Sequence, residues 1–243
     1  MTLSAELWAG SADLAAAALA HPFVTGIADG TLPRERFAGY VAQDAFFLEA
    51  FARAYALGVA HSRDRATLAA FADLLAGVRE ELRLHDGYAA RWGIDLTAVT
   101  PSPATLAYTD LLLATAALGD VGEVCAAMTP CMRLYAHLGQ ALVPVAVGTY
   151  REWVDTYADP GFEELAVTLE ALLDRLAADT PGVRRAYRRA MELELAFFTA
   201  AWAGVPSPPS DSGCPPSGGL RTHPSNLSRS CWRRDVTAWM PLH

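Results

Sequence analysis

Apolar residues recur at i, i+3, i+4 and i+7 through almost the whole chain as far as Trp202, and no stretch alternates apolar with polar as a half-buried strand would. A chain patterned this way can bury its apolar surface only by packing helix stripe against helix stripe. The stripes are punctuated by start signals in which a capping side chain precedes a helix-opening residue. Ser102-Pro103 and Thr180-Pro181 have this form, and Asp120 with Glu123 makes a related capping box. Together they predict helices near Leu3–Ala20, Pro33–His61, Arg63–Trp92, Pro103–Leu118, Val121–Val145, Tyr150–Tyr157, Gly161–Ala177 and Pro181–Trp202. Connections as short as Leu118-Gly119-Asp120 make consecutive helices antiparallel neighbours in a bundle.

Beyond this body the character changes. Gly204 to His243 is rich in Pro, Ser, Gly and Arg and lacks apolar periodicity over most of its length. A segment of that composition buries too little apolar surface to offset its ordering entropy, so the chain is expected to comprise a helical domain over 1–203 and a disordered tail over 204–243. The tail carries four Arg against Asp211 and Asp235. Of the formal net charge of −8, it therefore accounts for +2, which leaves −10 on the body. An acidic body excludes a broad nucleic-acid footprint and suits a cytoplasmic protein. Glu6 and Asp13 interrupt the N-terminal Ala/Leu run, which reads neither as a signal peptide nor as a membrane span.

The basic residues are all arginine. Without lysine, Schiff-base chemistry and lysine-held pyridoxal phosphate are excluded, so covalent catalysis needs another nucleophile. Cys125, Cys131, Cys214 and Cys231 show no C-x-x-C spacing and read as reduced thiols.

Three stripes carry a reactive or ionisable side chain in the middle of their apolar face. Asp44 lies among Phe37, Tyr40, Val41, Phe47, Leu48 and Phe51; Glu194 lies among Tyr187, Met191, Phe197, Phe198 and Ala201. Cys131 shares a face with Val124, Met128, Tyr135, Leu138 and Leu142. An unpaired buried carboxylate costs several kcal/mol or takes up a proton, so two of them require either partners or a purpose. Cys125 lies about 240° around the helix from Cys131 and reads as packing. Pro130 is expected to open or kink the helix beside Cys131. Glu81 and His85 stand one turn apart, but bundle metal sites draw on Glu-x-x-His pairs from two helices with two further Glu, and no second pair is present. They read as a hydrogen-bonded histidine on a pocket wall, with no metal. His21 reads as a loop position and His137 as a surface one.

On these residues the sequence resembles the TenA family of thiaminase II enzymes from about Leu3 to Trp202. The carriers are His21-Pro22-Phe23, the run Gly26 to Leu32, Tyr40-Val41-Ala42-Gln43-Asp44, Glu81 to His85, Ser102-Pro103 with Tyr108-Thr109, Pro130-Cys131 with Leu134-Tyr135, Thr156-Tyr157, and Glu194 ahead of Phe197-Phe198. The resemblance implies a haem-oxygenase-like bundle, commonly tetrameric, that hydrolyses 4-amino-5-aminomethyl-2-methylpyrimidine, and thiamin more weakly, to the hydroxymethyl pyrimidine without a cofactor. It assigns the nucleophile to Cys131, the acid/base to Glu194, substrate binding to Asp44, and pocket tyrosines to Tyr108, Tyr135 and Tyr157. The chain departs from the family at Phe47, where relatives often carry a tyrosine. Two other readings compete. One is a bundle of the pyrroloquinoline quinone synthesis type, which needs a pocket lined by His and Arg. The other is a non-catalytic regulatory protein, in which Cys131 would be dispensable.

Overall fold

The computed structural model describes residues 1–96 and 99–204; the expected tail and its cysteines Cys214 and Cys231 lie outside the described residues. The described chain is all-α, built from α1 (Leu3–Ala9), α2 (Ala12–Leu19), α3 (Pro22–Asp29), α4 (Arg34–His61), α5 (Arg65–Trp92), α6 (Pro103–Leu118), α7 (Val121–Leu142), α8 (Arg151–Ala158), α9 (Pro160–Leu176) and α10 (Pro181–Ala203). The caps act as expected. Ser102, Asp120 and Thr180 accept from the backbone N–H groups of Thr105, Glu123 and Val183 at 3.1, 2.9 and 3.2 Å.

Helix α7 is the axis of the bundle, packed against α8, α9 and α10 and flanked by α4 and α6. Every residue from Val124 to Pro130 is buried, the pattern of a helix enclosed on all sides. Arg133 anchors it to α9 through Glu163 and Glu170, at 2.8 and 2.7 Å. On the other flank α4 and α5 run alongside one another, with α6 against α4. Phe71 of α5 lies where a side chain at Gly58 of α4 would stand, 2.7 Å from the position of a Cβ there.

Three local readings are corrected. The N-terminal helix is two helices broken at Gly10-Ser11, because α1 packs on α9 while α2 packs on α10 and one straight helix cannot follow both. His21 is a helix cap, its Nδ1 accepting from Phe23 N at 3.1 Å ahead of Pro22 at the start of α3. The third concerns Pro130, where α7 continues without interruption. The helix, enclosed by neighbours on every side, is not opened there by the loss of one backbone bond. His137 is half-buried, its ring edge-on to Trp8 at 5.4 Å between centroids.

The closest approach in the bundle places Tyr157. A Cβ on Gly139 of α7 would stand 2.4 Å from the carbonyl carbon of Tyr157 and 2.5 Å from Ala158 N on α8. Gly139→Ala is therefore expected to cost about 1–3 kcal/mol, as overpacking of a tight core does, and to push α8 outward. Urea unfolding of the variant, with the linear slope compared to wild type, checks this.

Candidate active site

The three stripe intruders converge. The Cys131 thiol lies close enough to the Glu194 carboxyl group for each to act on the other, and Tyr108 Oη donates to Glu194 Oε1 at 2.6 Å. This links α6, α10 and α7 in one polar chain. Asp44, on α4, is close enough for its charge to act on Cys131, Glu194, Tyr135, Tyr157 and Glu81. All seven residues singled out from the sequence, Cys131, Glu194, Asp44, Phe47, Tyr108, Tyr135 and Tyr157, thus gather in one region of the core. Six are buried, and Cys131 is partly exposed.

The aromatic groups form its walls. Phe47 packs on Tyr108 at 4.8 Å between centroids, and Tyr135 meets Tyr157 edge to face at 4.7 Å. A hydroxyl relay crosses behind them, with Trp153 Nε1 donating to Tyr40 Oη and Tyr40 Oη to Tyr135 Oη, each at 3.3 Å.

Sequence reasoning missed two partnerships. Asp44 Oδ2 lies 2.7 Å from His85 Nε2, and the other ring nitrogen of His85 lies 2.9 Å from the carbonyl oxygen of Glu81. The Glu81 side chain turns the same way, its Oε1 accepting from Tyr157 Oη at 2.7 Å. The signal was present: Leu74, Val78, His85 and Tyr88 are the buried stripe of α5, and His85 interrupts it as Asp44 interrupts the stripe of α4. Tyr40, between the two walls, was read as packing alone.

Burial sets the protonation states. Desolvation works against a charged His85, but the hydrogen bond and charge of Asp44, with Glu81 nearby, outweigh it and hold the imidazolium up to about 9. Burial pushes Glu194 up to about 8; the Tyr108 bond and the neighbouring Cys131 thiol oppose this, and the Asp44 charge adds to it. Glu81 is raised by burial and by Asp44, against His85 and the Tyr157 bond. The Cys131 thiol is pushed far up, first by burial and then by the carboxylates of Glu194, Glu81 and Asp44. At neutral pH the site at rest holds a charged Asp44–His85 pair beside a neutral carboxylic acid and a neutral thiol.

A helical bundle whose core brings together a thiol, an acid and a carboxylate–histidine pair is the class that fold and site define. The particular family follows from comparison, since residues 8–204 match the TENA/THI-4/PQQC family. The chain belongs to it. An aminopyrimidine aminohydrolase of Halalkalibacterium halodurans is 34% identical over 209 residues, covering 83% of this chain and 91% of that protein. The mitochondrial bifunctional TH2 protein of Arabidopsis thaliana is 36% identical over 210 residues, which span 74% of this chain but 34% of that longer protein. Among solved structures, a TenA family transcription regulator from Silicibacter sp. TM1040 is 32% identical with a TM-score of 0.77, covering 82% of this chain and 95% of its own. A TenA homologue from P. horikoshii reaches a TM-score of 0.78 at 26% identity, covering 84% and 100%.

The ion pair makes a pH prediction. His85 is raised above its ordinary value near 6.5, so the stability it contributes is complete below about pH 6.5 and lost as pH climbs through about 9. Glu81 and Glu194, raised from an ordinary value near 4.5 to about 7 and about 8, act in the same direction, their contribution complete below about pH 4.5 and lost as pH climbs to those values. Wild-type stability is expected to fall steadily from pH 6.5 to 9. His85→Gln should start lower by on the order of 3 kcal/mol, having left Asp44 without its cation, and show a flatter decline. Denaturant melts at a series of pH values measure both.

Proposed function

We propose that this protein is an aminopyrimidine aminohydrolase of the thiaminase II type, acting in thiamin salvage on the aminomethyl pyrimidine and, more weakly, on thiamin. The observation that carries the reading is the line Tyr108–Glu194–Cys131, a buried carboxyl group that accepts from a tyrosine hydroxyl at 2.6 Å and stands beside a thiol. The names of the relatives agree with it. A wall built from Asp44, Glu81 and Glu194 argues against the basic pocket a quinone-synthesis reaction needs.

In this reading the flat substrate ring enters between Phe47 and Tyr108 on one side and Tyr135 and Tyr157 on the other. Asp44, held as a carboxylate by the His85 imidazolium, accepts hydrogen bonds from the exocyclic amine and orients the ring. Glu194 gives its proton to a ring nitrogen and takes the thiol proton as Cys131 Sγ bonds to a ring carbon. The net transfer is one proton from sulfur to ring nitrogen, with no free thiolate accumulating. The electron pair displaced onto the ring then expels the leaving group from the methylene, water adds there, and the carbon–sulfur bond breaks as the proton returns. Tyr108 keeps Glu194 in line throughout.

On the same reading the protein works in the cytoplasm as a homo-oligomer, a tetramer by resemblance to its family. Consistent with a protein that spans no membrane by a helix, no helix among the described residues is long and apolar enough to do so.

Cys131→Ser is expected to abolish turnover while leaving fold and ligand binding nearly intact, since an alcohol is a far poorer nucleophile at neutral pH. Cys125→Ser should cost stability and little rate, because that thiol is fully buried in packing and pushed up to about 12 by burial. Chromatography of the pyrimidine product reads both, and activity of Cys131→Ser within tenfold of wild type excludes the covalent route. Phe47→Tyr tests the departure from the family. A new hydroxyl that finds a partner beside the substrate is worth roughly 0.5–1.5 kcal/mol, a few-fold rise in kcat/KM. A drop instead means the hydroxyl is buried unpaired among Tyr108, Phe51 and Phe197, the rings that surround Phe47.

A further inference from the structure

Expelling an amine and expelling a thiazole differ by one proton. A thiazolium nitrogen that leaves with the bonding electron pair becomes a neutral ring and needs nothing more. An amine that leaves with the pair is an amide ion unless it has gained a proton by the time the bond breaks. Glu194 exchanges its proton with the ring nitrogen and the thiol, so amine hydrolysis has use for a second acid that serves the methylene.

The second acid is present on the opposite wall. A cavity of about 830 Å³ opens between α5, α8 and α9 and reaches α7 at Met132, the residue after Cys131. Glu80, Glu81, Glu152, Asp155 and Asp159 all line it. Four of these have structural partners: Glu80 pairs with Arg83, Glu152 with Arg91, Asp155 with Arg151, and Asp159 caps α9 at Gly161. Glu81 instead accepts from Tyr157 of the substrate wall. It also lines the narrow gap beside Tyr40, His85 and Tyr157, and so stands between the outer cavity and the site. A second buried polar group lies nearby. Tyr55 Oη, completely buried, has no hydrogen-bond partner, and the ionisable groups that act on it are Cys131, Cys125 and Glu81.

We propose that Glu81 is the leaving-group acid, a second catalytic carboxyl group that protonates the departing amine and then deprotonates the incoming water. The inference rests on the hydrolase reading above. As the methylene carbon–nitrogen bond breaks, its electron pair goes to nitrogen, the Glu81 proton joins it, and ammonia departs through the outer cavity. Water then attacks the methylene carbon, and its proton returns to Glu81. The groups that face Glu81 favour such cycling. Asp44 from α4 and burial keep the proton on, while His85 on its own helix and Tyr157 from α8 stabilise the carboxylate once it is off. Its charge is also felt by Cys131 of α7 and by Tyr40 and Tyr55 of α4.

The test compares two leaving groups in Glu81→Gln, which keeps shape and removes the proton. Turnover of the aminomethyl pyrimidine is expected to fall at least about 100-fold, and at least about tenfold more than turnover of thiamin, which loses only the help Glu81 gives to water; a circular dichroism melt reports that the variant is folded. Glu81→Asp, which keeps the acid one methylene shorter, should recover part of the amine rate. An equal loss on both substrates, or no loss on the amine, overturns the proposal. If wild type turns over neither substrate, the hydrolase reading fails, and Glu81 with it.

Discussion

The ion pair between Asp44 and His85 joins α4 to α5 in the middle of the core, and the remaining polar groups are arranged around the negative charge it fixes there. Both side chains are almost entirely enclosed, where a lone carboxylate would cost several kcal/mol. Pairing makes that charge tolerable, and every nearby acid then responds to it. Glu81, Glu194 and Cys131 are all raised in part by Asp44. Burial does most to hold these neighbours in their neutral, protonated forms, and the charge of Asp44 adds to it.

That has a chemical consequence. A permanently ionised Cys131 in this environment would add another negative charge to an acidic pocket, so the nucleophile is generated only when a base takes its proton. Glu194 stands beside the thiol and is supported by Tyr108, and in the proposed reaction the substrate ring provides the acceptor. Cys125 makes the contrast. It lies six positions earlier on the same helix, is fully buried in packing, and has no carboxyl group beside it to take its proton. Nucleophilicity here depends on proton accounting across three helices, more than on the local pattern around either cysteine.

The bundle supplies the rigidity this requires. Tyr157 reaches Glu81 because α8 lies against α7 at Gly139, where any side chain would collide with backbone. Arg133, bridging Glu163 and Glu170, fixes α9 on the other side of the same helix. With α7 enclosed all round, even Pro130 leaves it continuous. The missing backbone bond costs less than unpacking the neighbours would.

The helices and the residues of the site were legible as periodicity and as violations of periodicity, because both are local properties of a stripe. Asp44, Cys131 and Glu194 stood out for that reason, and Ser102, Asp120 and Thr180 marked helix starts by capping chemistry alone. The pairings were not legible. Asp44 and His85 are 41 positions apart, and they meet only because α4 and α5 dock in one register. That register depends on contacts such as the one between Gly58 and Phe71, which no single stripe encodes. The short helix α3 escaped notice for a different reason, since histidine is an uncommon capping residue and eight residues hold scarcely two turns of period. A stripe therefore shows that a buried acid needs a partner, while the identity of the partner, and so whether the acid is structural or chemical, is decided by how the stripes are packed against each other.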